Sequence, residues 1–171
     1  MASGRRYEMD FFTATILEWK YLLKNDLYKD IITGSMKFFV DNKRVQLYAF
    51  AIMNNHLHLL WSIIYPHLRE NVQRDFLRFT SQMIIKDLRN NHPEILQEYF
   101  VGAKDRNHQV WERNALSVPL WTEDVVRQKL NYIHNNPVRA GLCLHPEEYK
   151  YSSAPAYYGL PCEWDFITLI G

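Results

Sequence analysis

Two apolar runs joined by a two-residue turn constrain the fold of this chain most. Residues 46–53 (QLYAFAIM) and 56–64 (HLHLLWSII) are rich in the β-branched and aromatic side chains that favour strands. Asn54 and Asn55 lie between them, and asparagine is a typical turn residue. The pattern therefore predicts a β-hairpin with two largely buried strands.

The remaining periodic segments predict how this hairpin is packed. Before the hairpin we expect a strand over 11–16 and a helix that is capped by Asn25 or Asp26 and ended by residues 41–44. After it we expect a helix over about 70–89 and a short strand near 110–111. A last helix should run from Thr122 to about Asn135, where Pro137 ends it. The order β-α-β-β-α-(β)-α predicts an α/β fold: a ferredoxin-like split βαβ sandwich with an antiparallel sheet and an added C-terminal helix. One sheet face would carry the first two helices, and the other would remain open for a ligand or the last helix.

Length and composition indicate a single folded domain. The 171 residues suit one domain, with a core over about 7–141 and a C-terminal tail over 142–171 packed on it. A hydrophobic content of 47% with 23% charged residues is typical of a globular rather than a disordered chain. The net charge of only +1 argues mildly against nucleic-acid binding unless basic side chains cluster locally.

The cysteines and the apolar segments predict a cytoplasmic protein without a membrane partner. Cys143 and Cys162 do not have the spacing of metal ligands and suit a reducing compartment. The N-terminal residues lack the apolar core of a signal peptide. No stretch approaches the roughly 18–20 apolar residues that a membrane helix needs.

His56 and His58 are the first candidate site residues. They lie two apart in a predicted strand, so both imidazoles point to one sheet face, whereas Leu57, Leu59 and Trp61 point to the other. Two neighbouring imidazoles can bind one divalent ion. The alternative is a pair of partly exposed strand histidines without a metal, because this two-residue spacing alone is a weak motif.

Tyr132 and Asn136 form a second candidate pair on the last predicted helix. They lie four residues apart and share a polar face with Gln128 and Lys129. A tyrosine in this position can be a nucleophile if a nearby divalent ion activates the reaction. The alternatives are an ordinary surface tyrosine and an asparagine that caps the helix before Pro137.

Basic side chains recur along the long central helix. Arg74, Arg78 and Lys86, with Arg89 nearby and with Arg5 and Arg6 at the N-terminus, could contact phosphates. The alternative is a solvated helix face, which is the more common role of such a stripe.

Two longer stretches resemble the single-tyrosine HUH transposases of small insertion sequences, and most closely the REP-associated tyrosine transposases. They are residues 48–61 (YAFAIMNNHLHLLW) and 129–159 (KLNYIHNNPVRAGLCLHPEEYKYSSAPAYYG). In that family a His-hydrophobic-His strand follows a Met-Pro-Asn turn. A later helix carries Tyr-Ile-His-x-Asn-Pro-Val, followed by a Gly-Leu turn and a Tyr-x-x-Ser-Ser segment. The second stretch is the more specific of the two.

The resemblance implies a function and a role for each site residue. The chain would nick and rejoin single-stranded or hairpin DNA through a 5′-phosphotyrosine, with Mg²⁺ or Mn²⁺ as cofactor. Tyr132 would be the nucleophile, and His56 and His58 would bind the metal, assisted by Asn136. His134 would lie outside this site. The residues proposed to contact DNA are Arg74, Arg78, Lys86, Lys129 and Arg139.

The sequence also departs from the family pattern. Asn54 replaces the usual proline of the turn, and residues 110–120 lack the histidine-containing pattern expected there. The main alternative function is therefore a catalytically silent protein, derived from a transposase, that binds hairpin or single-stranded DNA. A metal-binding domain unrelated to DNA is a third possibility. Both a monomer and a homodimer remain open.

Overall fold

The secondary structure follows the predicted order with two added short helices, one before the fourth strand and one near the C-terminus. The structure is a computed structural model that describes residues 8–171, so Arg5 and Arg6 lie outside the described part. The strands and helices are β1 (Met9–Thr15), α1 (Asp26–Asp41), β2 (Val45–Ile52), β3 (His56–Ile63), α2 (Arg69–Asn91), α3 (Pro93–Gln97), β4 (Leu116–Leu120), α4 (Glu123–Arg139) and α5 (Ala154–Tyr157). Short 3₁₀ turns span Leu17–Trp19, Leu22–Lys24 and Pro146–Glu148.

The four strands form one antiparallel sheet in the order β2-β3-β1-β4. Every neighbouring pair is antiparallel, and β1 lies between β3 and β4. Two split βαβ units give this strand order, so the predicted ferredoxin-like α/β fold is confirmed. None of the helices in residues 8–171 is long and apolar enough to cross a membrane.

The two faces of the sheet carry different helices, as the alternation along β3 predicted. Leu57, Leu59 and Trp61 belong to the large core that α1 and α2 share with the sheet. On the opposite face, Ile133 of α4 packs in a smaller core with Leu60. Helix α4 therefore covers the sheet face that was predicted to be open for a ligand or for the last predicted helix. His56 and His58 lie on this same face.

The fourth strand was predicted at the wrong place. Residues 110–111 form no strand: Trp111 makes only an isolated bridge with Ile16, and its buried indole donates a hydrogen bond to Thr80. The strand is β4, which pairs with β1 and contains Pro119. Proline cannot donate to a sheet, but β4 is an edge strand, where a missing donor is tolerated.

Pro137 does not end helix α4, so the helix end predicted from the sequence was also wrong. Helix α4 continues through Pro137 to Arg139. The proline lacks an N–H and costs one hydrogen bond, yet its fixed φ suits a helix. The final turn is held by bonds from Ala140 N to Asn136 O (3.0 Å) and from Leu142 N to Pro137 O (2.9 Å). Asn136 is therefore inside the helix, one turn beyond Tyr132 and on the same face.

Residues near the C-terminus lie along the outer edge of β2. Ile52 N donates to Tyr151 O at 2.9 Å, and Ser153 N donates to Phe50 O at 3.0 Å. Further along the same edge, Thr168 N donates to Leu47 O at 2.8 Å. This segment therefore satisfies backbone groups that an edge strand would otherwise present to solvent.

Candidate active site

His56 and His58 lie side by side at the start of β3. Their ring centroids are 4.9 Å apart, and His58 is buried while His56 is half-buried. Nδ1 of His56 donates to Asn55 Oδ1 at 2.7 Å, which leaves Nε2 of that ring with its lone pair. Nδ1 of His58 lies 2.8 Å from the hydroxyl of Thr13, its direct partner on β1.

Asn136 brings helix α4 to the two histidines. Its Nδ2 lies 3.0 Å from Nε2 of His58, and the same amide forms a hydrogen bond with His56. Because an amide N–H can only donate, Nε2 of His58 is the acceptor, and Nδ1 carries the proton that Thr13 receives. Nε2 of His58 therefore directs its lone pair toward the Asn136 amide, and His56 lies beside the same amide.

Burial keeps both imidazoles neutral at physiological pH. Burial is the largest cause that lowers the pKa of His58 to about 3, and His56, Arg139 and Lys129 contribute to the same shift. Burial also lowers the pKa of His56. The neutral imidazole is the form that binds metal ions, so proton competition is weak at this pair.

These three side chains fit a divalent cation. Nε2 of His58 lies at the Asn136 amide, and the His56 ring lies 4.9 Å from the His58 ring between their centroids. A half-turn of the amide would present Oδ1 to His58 in place of Nδ2. Two imidazole nitrogens and one amide oxygen suit a cation such as Mn²⁺ and leave positions for water or phosphate oxygens. Within residues 8–171 there is no group of three or more His, Cys, Asp or Glu side chains that could bind a metal, so the remaining ligands would come from solvent and substrate.

Tyr132 lies on α4 beside this pair. It is 38% exposed, and its ring packs edge-on against His58 with centroids 5.3 Å apart and against Phe11 at 5.9 Å. The Arg139 guanidinium lies 4.3 Å from the Tyr132 ring centroid, and the Lys129 ammonium lies 5.6 Å from it. A partly exposed phenol thus adjoins His58 and two cations, a setting that can bind a phosphodiester.

The structure brings together only part of the predicted basic set. Lys129 and Arg139 border Tyr132, whereas Arg74, Arg78 and Lys86 are exposed on α2, which packs against the opposite face of the sheet. Arg74 also forms an ion pair with Asp75 at 3.0 Å. The stripe on α2 is therefore a surface separate from the His56–His58 pair.

His134 lies outside the site, where the sequence placed it. The ring is buried, and its Nε2 lies 2.8 Å from the Ser153 hydroxyl. Ser153 Oγ also accepts a hydrogen bond from Phe50 N at 3.0 Å. Burial lowers the pKa of His134 to about 4. This histidine therefore ties α4 to the C-terminal segment and to β2.

Sequence reasoning missed several residues around the pair. Thr13 becomes visible only once the β1–β3 register is known, because no local pattern marks it. Asn55 directly precedes His56, so the turn itself was a usable signal. Phe11 stacks on His58 with ring centroids 5.3 Å apart, and Trp19 contacts His56 from a turn that no periodicity predicts.

Comparisons with known proteins agree with this architecture. No protein-family model matches the sequence, and no curated protein matches it. Among solved structures, a REP-associated tyrosine transposase bound to a REP hairpin is similar over 100% of this chain and 99% of its own, with a TM-score of 0.66 and 16% identity. The chain has the fold of a REP-associated tyrosine transposase.

A second similar structure points to the same fold. A candidate transposase from Deinococcus radiodurans R1 matches over 79% of this chain and 95% of its own, with a TM-score of 0.51 and 15% identity. The transposase fold that residues 48–61 and 129–159 predicted is thus confirmed.

Proposed function

We propose that this protein is a metal-dependent tyrosine transposase that nicks and rejoins single-stranded DNA. The observation that carries the proposal is the convergence of Tyr132 and Asn136, on one helix, with the two histidines of β3. A protein that only binds DNA does not need a phenol, two neutral imidazoles and an amide at one point.

In the proposed reaction, Tyr132 Oη attacks the phosphorus of a backbone phosphodiester. The Oη–P bond forms and the P–O3′ bond breaks; the phenol loses its proton and the departing 3′ oxygen gains one. The products are a 5′-phosphotyrosine and a free 3′-hydroxyl. Attack by a 3′-hydroxyl on the phosphotyrosine reverses the step, so strands can be rejoined without a nucleotide cofactor.

The side chains around Tyr132 have distinct proposed roles. His56, His58 and Asn136 would hold Mg²⁺ or Mn²⁺, which supplies charge neutralisation at the scissile phosphate when bound. Arg139 and Lys129 flank the tyrosine ring and would hold the phosphate by its charge. Their positive charge also favours the phosphate approaching from the exposed side of α4.

Hairpin or single-stranded DNA is the proposed substrate. The similar REP-associated transposase is bound to a REP hairpin in its structure, and both stretches of sequence resemblance point to the same family. Arg74, Arg78 and Lys86 remain proposed phosphate contacts for DNA that extends past the active-site face and around the sheet.

Adduct formation tests the nucleophile. Single-stranded hairpins copied from the DNA flanking the gene are incubated with protein and Mn²⁺ or Mg²⁺, then run on a denaturing gel. Wild type should give a covalent DNA–protein band that disappears with a chelator and in Tyr132→Phe. Tyr158→Phe, which alters another exposed tyrosine, should retain the band. A gel shift without any adduct would instead indicate a silent DNA-binding protein.

Metal dependence tests the histidine pair. His56→Ala should lose Mn²⁺ binding and cleavage together, whereas the exposed His67→Ala variant should keep both. Wild-type cleavage by His56→Ala would refute the proposed metal site.

A further inference from the structure

An exposed tryptophan lies directly beside the candidate metal pair. Trp19 is 60% exposed, and its ring centroid is 6.0 Å from that of His56, with the ring planes inclined by 63°. The same turn is linked to the histidine's own turn, because Asn55 Nδ2 donates to Trp19 O at 3.5 Å. Asn55 thus contacts both His56 and the backbone that carries the indole.

The backbone that carries Trp19 is strained. Glu18 and Trp19 have φ values of 54° and 57°, in the left-handed region that side chains other than glycine rarely adopt. Two such residues in succession persist only when the surroundings hold them, and such strain is concentrated at functional sites. Contacts from the surrounding chain must therefore hold Glu18 and Trp19 in this left-handed conformation.

Three hydrogen bonds hold this turn, two of them to the segment before β4. Leu17 N donates to Val110 O at 2.8 Å, and Trp19 N donates to Ile16 O at 2.9 Å. Glu18 N donates to the Glu112 carboxylate at 2.6 Å. The backbone of the turn between β1 and α1 is thus tied to the segment before β4, and it carries the exposed indole of Trp19.

Core packing does not explain an indole in this position. Trp61 and Trp111 are 1% and 5% exposed and fill the main core, whereas Trp19 leaves most of its ring in water. Its chain neighbours Glu18 and Lys20 form an ion pair at 3.6 Å. An exposed flat ring between two charged side chains offers a face on which a nucleobase can stack.

We propose that Trp19 stacks on an unpaired base of the DNA strand whose phosphate is bound at His56 and His58. This inference rests on the proposed function. The ligand is the nucleobase of a nucleotide adjoining the scissile phosphate. Because every base has an aromatic face, this contact would add affinity and strand positioning with little sequence preference.

Binding measurements on substituted DNA test the proposal. The probes are fluorescently labelled hairpins with unpaired flanks, copied from the DNA beside the gene, and the same hairpins with single abasic nucleotides along the flanks. Four proteins are compared: wild type, Trp19→Ala, Trp19→Phe and the matched control Trp121→Ala. Trp121 is 67% exposed and follows β4, at the end of the sheet away from His56.

We expect Trp19→Ala to bind the intact hairpins about 5- to 150-fold more weakly, the range that loss of one stacked base gives. Trp19→Phe should recover most of this loss, and Trp121→Ala should bind like wild type. One abasic position should weaken binding to wild type while leaving Trp19→Ala unaffected. Mn²⁺ affinity without DNA should be equal in wild type and Trp19→Ala, since the ring is proposed to contact the base and not to orient His56.

The outcomes separate this inference from the function on which it rests. Equal DNA affinity of wild type and Trp19→Ala would overturn the stacking role while leaving the transposase proposal intact. A loss of Mn²⁺ affinity in Trp19→Ala, with no position sensitive to an abasic nucleotide, would also overturn it and make Trp19 a positioning residue for His56. Failure of wild type to bind any hairpin would overturn both proposals.

Discussion

The Thr13 hydroxyl on β1 accepts a hydrogen bond from Nδ1 of His58 on β3 at 2.8 Å. The two residues are direct cross-strand partners, so the sheet register itself sets the contact. The bond fixes the ring orientation and the tautomer in which Nε2 keeps its lone pair, the form that the proposed metal site requires. Such partners of metal-binding histidines commonly contribute about 10- to 100-fold to metal affinity.

We therefore expect Thr13→Val to weaken Mn²⁺ binding by about tenfold, because the isosteric side chain keeps the shape and loses the acceptor. Calorimetric Mn²⁺ titration measures the change. Thr15→Val is the control, since Thr15 is half-buried on the same strand face and pairs with His56 without a hydrogen bond to either ring in the described structure. Equal Mn²⁺ affinity in Thr13→Val and wild type would contradict the assigned tautomer.

Removing the Ser153 hydroxyl should destabilise the fold. Ser153 is completely buried, and its oxygen lies at hydrogen-bond distance from both His134 Nε2 and Phe50 N. Ser153→Ala leaves these two polar groups without that partner, and we expect the free energy of unfolding to fall by about 1–3 kcal/mol. Urea unfolding measures it. The half-buried Ser81→Ala should change stability by less than about 0.5 kcal/mol, and a similarly small effect at Ser153 would show that the contact is not stabilising.

The stability of the protein should fall as the pH drops below neutrality. Burial holds the pKa of His134 near 4 in the folded state, below the ordinary value of 6.5. Between these values the unfolded chain binds a proton that the folded chain does not. The free energy of unfolding should thus decrease by about 1 kcal/mol per pH unit for this histidine as pH falls from 6.5 toward 4.

Replacement of His134 provides the test of that pH dependence. His134→Gln should show a flatter dependence of unfolding free energy on pH in this window, whatever its absolute stability. The exposed His67→Gln variant should keep the wild-type slope, because its side chain is in water in both states. Identical slopes for His134→Gln and wild type would exclude His134 as a contributor.

The charge of Arg139 should be visible in the salt dependence of DNA binding. Its guanidinium lies over the Tyr132 ring at 4.3 Å, where it can reach a phosphate bound beside the phenol. Arg139→Gln should weaken hairpin binding and reduce the slope of log K against log salt by about 0.7. Arg127→Gln is the control on the same helix, because Arg127 is already paired with Glu123 at 2.9 Å. An unchanged slope in Arg139→Gln would remove this residue from the proposed phosphate contacts.

The sequence predicted the elements whose side chains repeat with a clear period. Alternation along β3 identified the shared face of His56 and His58, and the four-residue spacing on α4 identified Tyr132 and Asn136 as neighbours. Both follow from local geometry alone. The distances between the two pairs, by contrast, depend on how α4 crosses the sheet, and no local pattern contains that information.

The errors have equally physical causes. Strand β4 was not predicted because it contains Pro119. Proline is compatible with a strand only at a sheet edge, and the sequence did not show which strand would lie at the edge. Pro137 suggested a helix end because its lost hydrogen bond is usually avoided, but α4 accepts that loss and continues to Arg139. The position of Trp19 beside His56 was not predicted, because left-handed backbone at residues other than glycine has no sequence signature.

The pairing of the C-terminal segment with β2 has a consequence for how the chain must reach its native state. The contact between Phe50 and Ser153 joins residues 103 apart in sequence, and the pairing of Leu47 with Ile167 is longer still. Until those late residues dock, the outer backbone groups of β2 are available to strands of other chains. Protection of this edge against pairing with other chains is therefore complete only after residue 168 has been made, which is later than every proposed site residue.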